Sequence, residues 1–205
     1  MAFNTKSLTE FKSKLQGGGA RNNLFEVQLP AFPDAISDAW RSSDSGEAGM
    51  FQFLCKAAQL PASTVAPVNV PFRGRQLKVA GERTIDPWVV TIINDEDFML
   101  RTAFERWANV ISKLDDATGV TNPTSYMTDA YVYQLGRGKE RFSTKNEGGS
   151  SSVLRTYRFY DIWPSSVSAI DVSYDTENTI EEFQVEFQVQ WFTVGEREDS
   201  GPEIR

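Results

Sequence analysis

The clearest alternation of hydrophobic and polar side chains in the chain lies near its end. Residues 180–194 read IEEFQVEFQVQWFTV, with an apolar side chain at every second position from Phe183 to Trp191. Successive side chains of a β-strand point to opposite faces, so this stretch predicts one long strand with a buried face. The opposite face carries only carboxylates and amides: Glu182, Gln184, Glu186, Gln188 and Gln190.

Seven shorter stretches also have the composition and alternation of strands. They read NLFEVQLP, MFQFLCKAAQLP, STVAPVNVPF, TIDPWVVTIIND, SYMTDAYVYQL, SVLRTYRFYDIWP and SAIDVSY. The fourth is apolar on both faces, which is typical of a strand covered on both sides. Between the third and the fourth, RGRQLKVAGERT predicts an extended loop or a hairpin. With the closing strand, the sequence predicts about eight strands.

Two helices are predicted. A long amphipathic helix over residues 95–114 follows from apolar residues at steps of four and three, and it should lie on a sheet. Asn94 is its expected N-cap, and acids in the first turn favour the positive end of the helix dipole. The apolar residues are Leu100, Phe104, Trp107, Ile111 and Leu114, and the acids are Asp95, Glu96 and Asp97. A short helix in SLTEFKSKL, with Ser7 and Glu10 at capping-box spacing, precedes three glycines.

These elements predict a mainly β fold, an antiparallel β-sandwich or barrel of about eight strands with one long flanking amphipathic helix and a short N-terminal helix. Residues 1–19 are expected to form an N-terminal arm, residues 20–194 the β domain, and residues 195–205 a C-terminal tail. Two long polar segments, 38–49 and 136–152, are expected to be loops.

The amino-acid composition excludes several classes of function, although it says little about the fold. The 205 residues include no histidine and a single cysteine, Cys55. The commonest general base and metal ligand is therefore missing, and no internal disulfide can form. No apolar run approaches the roughly 18 residues of a membrane span, and no signal-peptide pattern opens the chain, so no membrane insertion is expected.

The net charge of −7 is unevenly distributed along the chain. Residues 159–196 contain eight acids and no Lys or Arg, whereas residues 72–83 reverse the sign. The basic residues there are Arg73, Arg75, Lys78 and Arg83. Such separation is either ordinary surface charge or a means for identical copies to dock, positive region to negative region.

The candidate chemical motifs have structural explanations. Glu182 and Glu186 share a strand face but lie roughly 13 Å apart, beyond the about 5.5 to 9.5 Å of glycosidase carboxyl pairs. The acids at 95–97 do not converge on one ion, and GRGKE at 136–140 lacks the spacing of a phosphate loop. No catalytic residue, metal site or cofactor is predicted, and the basic stretch fits protein contacts better than nucleic acid.

Three segments taken together resemble a known family. They are GGGARNNLFEVQLPAFP, VPFRGRQLKVAGERTIDPWVVTIINDEDFMLRTAFERWANVI, and FYDIWPSSVSAIDVSYDTENTIEEFQVEFQVQWF. Their order and spacing resemble the tail tube proteins of T-even-like, contractile-tailed bacteriophages, over roughly residues 17 to 194. The family shares its fold with the tube proteins of type VI secretion, and the resemblance implies a structural protein rather than an enzyme.

The resemblance implies six-membered rings, each lined by a β-barrel, that stack into a hollow tube in the virion tail. The partners would be further copies, the tail sheath protein, the tape-measure protein, and baseplate and tail-terminator proteins. DNA would pass through the lumen without specific binding. Three sets of residues are then expected at defined places: the row Glu182, Gln184, Glu186, Gln188 and Gln190 at the lumen; Arg73, Arg75, Lys78 and Arg83, on an arm loop at 72–84, at the next ring; and Asp95, Glu96, Asp97 and Glu105 on a sheath-facing helix.

Three other functions stay open at this point. The first is a tube protein, or a tube-initiator or baseplate-end protein, of a related contractile injection or secretion system. The second is a monomeric ligand-binding β-barrel, which would have an apolar interior cavity. The third is a hydrolase that works with carboxylates alone.

Overall fold

The computed structural model describes residues 8–15, 19–30, 32–33, 36, 51–52, 54–136, 152–175 and 177–195. Helix α1 is Leu8–Lys14 and helix α2 is Met99–Ile111, and Pro123–Ser125 forms a short 3-10 helix. The strands are β1 (Phe25–Gln28), β2 (Cys55–Ala58), β3 (Ser63–Phe72), β4 (Arg75–Ile85), β5 (Trp88–Ile93), β6 (Thr128–Gly136), β7 (Ser152–Val167), β8 (Glu182–Gln188) and β9 (Trp191–Gly195). The loops predicted at 38–49 and 136–152 lie almost wholly outside the described residues.

Seven of the strands form one sheet and the other two form a separate hairpin. The large sheet has the order β1-β6-β7-β8-β5-β2, with β9 also pairing with β7, and β3 pairs with β4 alone. The pairs β2–β5, β5–β8, β7–β8 and β3–β4 are antiparallel. The predicted mainly β, antiparallel fold class with one long and one short helix is confirmed, with nine strands in the described chain instead of about eight.

The chain divides into two compact units. The first comprises Met1–Glu26, Val132–Thr156 and Val194–Arg205. Within it, the backbone N–H of Leu135 and the side chain of Gln134 both donate to the carbonyl of Leu24, which ties the turn before β1 to the end of β6. The predicted helix α1 is present there. Its apolar side chains Leu8 and Phe11 are exposed, and so is Leu15 just after it.

The second unit, Val27–Tyr131 and Tyr157–Thr193, holds a core of aromatic rings. Phe187 on β8 is fully buried, and its ring centroid lies 5.3 Å from that of Trp88 and 5.8 Å from that of Phe104. The same ring lies 6.0 Å from Trp107 of α2. The indole N–H groups of Trp88 and Trp107 donate to the carbonyls of Gln59 and Tyr126, so burying them leaves neither unsatisfied. Helix α2 is thereby fixed on one face of the sheet.

The long helix begins later than the sequence indicates, at Met99 instead of Asp95. Asn94 does not cap it, because its buried Oδ1 accepts no hydrogen bond from the described residues. Its backbone N–H and its side-chain amide both donate to Glu181, which keeps residue 94 bonded to the chain before β8. The N-cap position is taken by Phe98 with φ 54°. At the other end the helix stops at Ile111, so the predicted member Leu114 is 97% exposed.

The closing strand is interrupted where the sequence predicts continuity. β8 ends at Gln188, β9 starts at Trp191, and Gln190 between them donates its backbone N–H to the carbonyl of Tyr160. The interruption exchanges the two faces, because Trp191 is 48% exposed whereas Phe192 approaches the buried Phe159. The neighbouring strand β7 has a matching irregularity at Asp161, with φ 52°.

STVAPVNVPF is a strand as predicted, β3, and it pairs with β4 outside the large sheet. Three further sequence predictions need correction. MFQF is helical at Phe51–Gln52 before β2 begins, and SAIDVSY forms no strand. The strand predicted from Thr84 breaks at Asp86–Pro87, where proline has no N–H to donate to a ladder.

Replacing Phe187 by Ala should lower the free energy of unfolding by about 3 to 5 kcal/mol, the usual cost of a cavity of this size in a well-packed core. The matched control is Trp191→Ala, because that larger ring is half exposed and stacks on the side chain of Tyr160. Urea denaturation should therefore give Phe187→Ala a much lower free energy of unfolding than Trp191→Ala. If both variants lose the same free energy of unfolding, Phe187 contributes no more to stability than the half-exposed Trp191.

The buried thiol of Cys55 should make stability depend on alkaline pH. Loss of solvation raises its pKa from 9.0 to about 12. The unfolded thiol ionises above pH 9 while the folded one stays protonated, so the unfolded state binds fewer protons and stability falls between pH 9 and about 12. We expect the free energy of unfolding of wild type to fall more steeply over this window than that of Cys55→Ala. Parallel curves would show that the thiol ionises normally in the folded protein.

Candidate assembly surfaces

The polar side chains of β8 lie on the sheet face opposite α2. Phe183, Val185 and Phe187 point into the core that the helix covers. Because side chains alternate along a strand, the intervening residues point away from it. Glu182 and Gln184 are exposed, and Glu186 and Gln188 are half-buried. These four residues, here called the polar row, keep the single-sided arrangement that the sequence predicts.

The predicted fifth member, Gln190, is not part of the row. It lies in the interruption after β8 and is exposed. The face of the sheet continues instead through Trp191 of β9, which stacks on Tyr160 at 5.2 Å. The guanidinium of Arg158 lies 4.4 Å from the Tyr160 ring and binds Asp129 through both Nε and Nη2. Its hydrogen bond to Asp129 raises the pKa of Arg158, which keeps this cation charged.

Neighbouring strands moderate the charge of the polar row. Glu182 forms an ion pair with Lys56 of β2, two strands away in the sheet. On β5, Val89 and Thr91 are the cross-strand partners of Glu186 and Gln184. The sequence alone did not find Lys56, because it lies 126 positions from Glu182 and only the sheet order brings the two together. Of the two carboxylates of the row, Glu186 is the one without an ion pair among the described residues.

The basic residues lie on a hairpin that is longer than the predicted arm at 72–84. It spans Ser63–Phe72 and Arg75–Ile85, and nearly every residue of it is exposed. The turn residues Arg73 and Gly74 both have positive φ, 45° and 79°, as two-residue hairpin turns of type I′ require. Arg73 lies in the turn, and Arg75, Lys78 and Arg83 lie on β4, all exposed to solvent.

One face of this hairpin is apolar and uncovered. Val68 pairs with Val79, Val70 with Leu77, and Phe72 with Arg75, which sets five apolar side chains side by side. All five are exposed, and Phe72 at the tip is 67% exposed. On the other face Asn69 pairs with Lys78. A hairpin of two strands buries little surface of its own and gains stability when another surface covers it.

The four acids expected on the sheath-facing helix do not share one helical surface. Asp95, Glu96 and Asp97 precede α2, and the latter two are exposed. The Asp95 carboxylate accepts from the backbone N–H of Met99 at 3.4 Å, which helps to start the helix. Glu105 lies on the exposed side of α2, where its carboxylate binds Arg101 one turn earlier.

The described residues contain no group of three or more His, Cys, Asp or Glu side chains placed to hold a metal ion. Among them, too, no helix combines the length and apolar character that crossing a membrane takes.

The chain matches the family model for phage tail tube proteins over residues 20–194. It is 28% identical to tail tube protein gp19 of Enterobacteria phage T4 in an alignment of 172 residues that covers 78% of this chain and 99% of that protein. A tail tube protein of Serratia phage KSP90 is 20% identical over 179 residues, 86% of this chain and 90% of that one.

Solved structures show the same fold at lower identity. A chain of the anti-feeding prophage baseplate aligns with a TM-score of 0.56 and 13% identity, over 86% of this chain and 95% of that one. A chain of the sheath–tube complex of an extracellular contractile injection system aligns with a TM-score of 0.53 and 10% identity, over 90% and 97%. The family match covers both sheet faces and the hairpin. The chain belongs to the phage tail tube protein family and is a structural component of the virion tail.

Proposed function

We propose that the protein forms six-membered rings that stack into a hollow tube, with the polar row facing the lumen and α2 facing outward. One observation carries this orientation: α2 covers one face of the large sheet, and the polar row occupies the opposite face. A sheet that lines a pore must present one face to the lumen and be supported from the other. The two faces of this sheet meet that requirement.

The ends of the sheet supply the means of closing a ring. In the sheet order, β1 and β2 are the terminal strands, and each pairs with one neighbour among the described strands. Unpaired strand edges tend to pair with other chains. When β2 of one copy lies next to β1 of the following copy, a rotation that closes makes a continuous barrel from all members of the ring.

The polar row suits a lumen through which DNA passes without binding. Duplex DNA carries a negative charge about every 1.7 Å of its axis, and a cationic wall would hold it by releasing counterions. Amides do not neutralise phosphate and Glu186 repels it. The cations Lys56 and Arg158 are already paired, with Glu182 and Asp129. The wall therefore offers DNA little to bind.

The tube would contact the other tail components at three places. The exposed side of α2, with Glu105, faces the sheath protein, together with Asp95, Glu96 and Asp97 just before the helix. The tape-measure protein occupies the lumen before DNA does. Tail-terminator and baseplate proteins bind the two ends of the stack, where one ring surface has no further copy to meet.

Two other functions differ from this one in ways that can be observed. A tube-initiator or baseplate-end protein would form one ring without stacking further. A monomeric ligand-binding barrel would need an apolar interior cavity, whereas the space between the sheet and α2 is filled by Phe104, Trp107 and Phe187. The packed core favours the tube.

The lumen assignment predicts that Glu186→Lys turns the wall into one that retains DNA. Tubes assembled with short duplex DNA should then protect several-fold more of it from nuclease than wild-type tubes. The excess should disappear as salt rises, because each phosphate neutralised contributes to the salt dependence. Nuclease digestion followed by quantification of the remaining DNA measures this directly.

The matched control is Asp115→Lys, which makes the same charge change at an exposed position just after α2. DNA bound there would lie on the outside of the tube and remain open to nuclease. If Glu186→Lys protects no more DNA than Asp115→Lys, the polar row does not face the lumen.

The stacking role of the hairpin predicts that Arg73→Glu/Arg75→Glu yields rings that do not form tubes. Both side chains are exposed, so folding and ring closure should be unaffected. Negative-stain microscopy and light-scattering mass across a concentration series distinguish rings from stacks. Lys113→Glu, an exposed charge reversal near the end of α2, should stack normally. Tubes of normal length from the double variant would refute the assignment.

A further inference from the structure

The loop between β7 and β8 has the side-chain pattern of a strand without forming one. Ile170, Val172 and Tyr174 alternate with polar residues, yet residues 168–173 are in no strand. Val172 is 80% exposed and Tyr174 is fully exposed. Within the described chain, no backbone hydrogen bond involves Ile170, Asp171 or Val172. Apolar side chains grouped at this exposure mark a surface that another molecule covers.

The same loop encloses a groove. Residues 169–173 form one wall and residues 179–182 the other, and the space between them is about 420 Å³. Ile170, Val172 and Ile180 contribute apolar surface, and Asp171 and Glu181 contribute carboxylates. Glu181 is held in place by Asn94, whose backbone and side-chain amides both donate to it. The groove thus combines apolar side chains with polar and negatively charged ones, and it is anchored at the end of β5.

The tip of the hairpin has the complementary character. Phe72 is 67% exposed, and the Arg73 guanidinium lies 5.4 Å from the centre of its ring. Arg75 is the cross-strand partner of Phe72, so a second cation stands beside the same ring. The tip therefore presents one aromatic side chain between two positive charges.

We propose that the groove between residues 169–173 and 179–182 receives the hairpin tip, Phe72–Arg75, of a second copy of this chain. The inference rests on the proposed stacking and names the surface that the hairpin meets. Phe72 would enter between Val172 and Ile180, while Arg73 and Arg75 approach Asp171 and Asp175, an exposed carboxylate two residues after the wall formed by 169–173. A buried aromatic anchor with charged residues at its rim is the usual composition of an interface hot spot.

Charge sign and exposure identify the occupant. The groove and the tip carry opposite charge, and both stay open to solvent in the single chain. They are different surfaces of one molecule, so the contact is head-to-tail, and each added copy offers a new groove or a new tip. A contact of this kind repeats along a stack, as a tube of many rings requires.

A charge exchange tests the contact. Asp171→Lys/Asp175→Lys should raise the concentration needed for stacking by more than about tenfold, since like charges facing each other across an interface oppose association. Arg73→Glu/Arg75→Glu should do the same, and the combined fourfold variant should stack again at close to the wild-type concentration. If stacking returns only when both pairs of charges are reversed together, the two sets of residues are in contact. Microscopy and light scattering report rings and stacks separately, and circular dichroism confirms the fold.

The outcomes separate this inference from the proposed function. If Asp171→Lys/Asp175→Lys stacks like wild type while the hairpin variant does not, the hairpin still joins rings but this groove is not its site. A fourfold variant that stays unstacked overturns the contact in the same way. If both double variants stack normally, the stacking role of the hairpin fails as well.

A disulfide gives a second readout that does not depend on charge reversal. In Arg75→Cys/Asp171→Cys, mild oxidation of the assembled protein should produce dimers and longer covalent chains on a non-reducing gel. Cys55 does not interfere, because burial raises its thiol pKa to about 12. Arg75→Cys/Leu114→Cys, with the second thiol at an exposed site outside the groove, should remain monomeric on the gel. Tubes of Arg75→Cys/Asp171→Cys that yield no covalent chains would overturn the contact.

Discussion

The structure depends on the packing of Phe187 against Trp88, Phe104 and Trp107. This contact fixes α2 on one side of β8, and the alternation of the strand then directs every second side chain to the other side. A few aromatic rings thus decide which face of the sheet α2 covers and which face stays open to solvent. The polar row could change its chemistry widely without affecting this choice, because its side chains point away from the core that α2 covers.

The sequence predicts the features that depend on residues close together in the chain, and it misses those that depend on residues far apart in it. Alternation in β8 and the amphipathic stripe of α2 are local patterns, and both are confirmed. The start of α2 could not be predicted, because Asn94 is an ordinary N-cap residue that the fold uses instead to hold Glu181, 87 positions away. The break at Gln190 is equally hidden, because its backbone N–H donates to the carbonyl of Tyr160, 30 positions earlier in the chain.

The candidate surfaces divide in the same way. The basic residues at 73–83 can be recognised because they lie close together in the sequence, but the apolar face of the hairpin appears only when the register pairs Val68 with Val79 and Val70 with Leu77. The ion pair of Lys56 with Glu182 depends on the order of three strands. SAIDVSY is the informative error: it alternates like a strand, yet none of the described strands pairs with it.

That error connects the chain to its assembly. In a chain that assembles with identical copies, some segments make their contacts with another copy. The sequence pattern of such a segment predicts a strand that the isolated chain does not form. The hairpin has five exposed apolar side chains and the β7–β8 loop has an exposed apolar alternation, and each would be a liability in a protein that acted alone. The hairpin tip is positively charged and the β7–β8 loop is negatively charged, so a tip fits a loop better than it fits another tip. This favours head-to-tail growth over the symmetric pairing of two hairpins. The direction of the tube would then be encoded in the sign of the charge beside Phe72 and Val172.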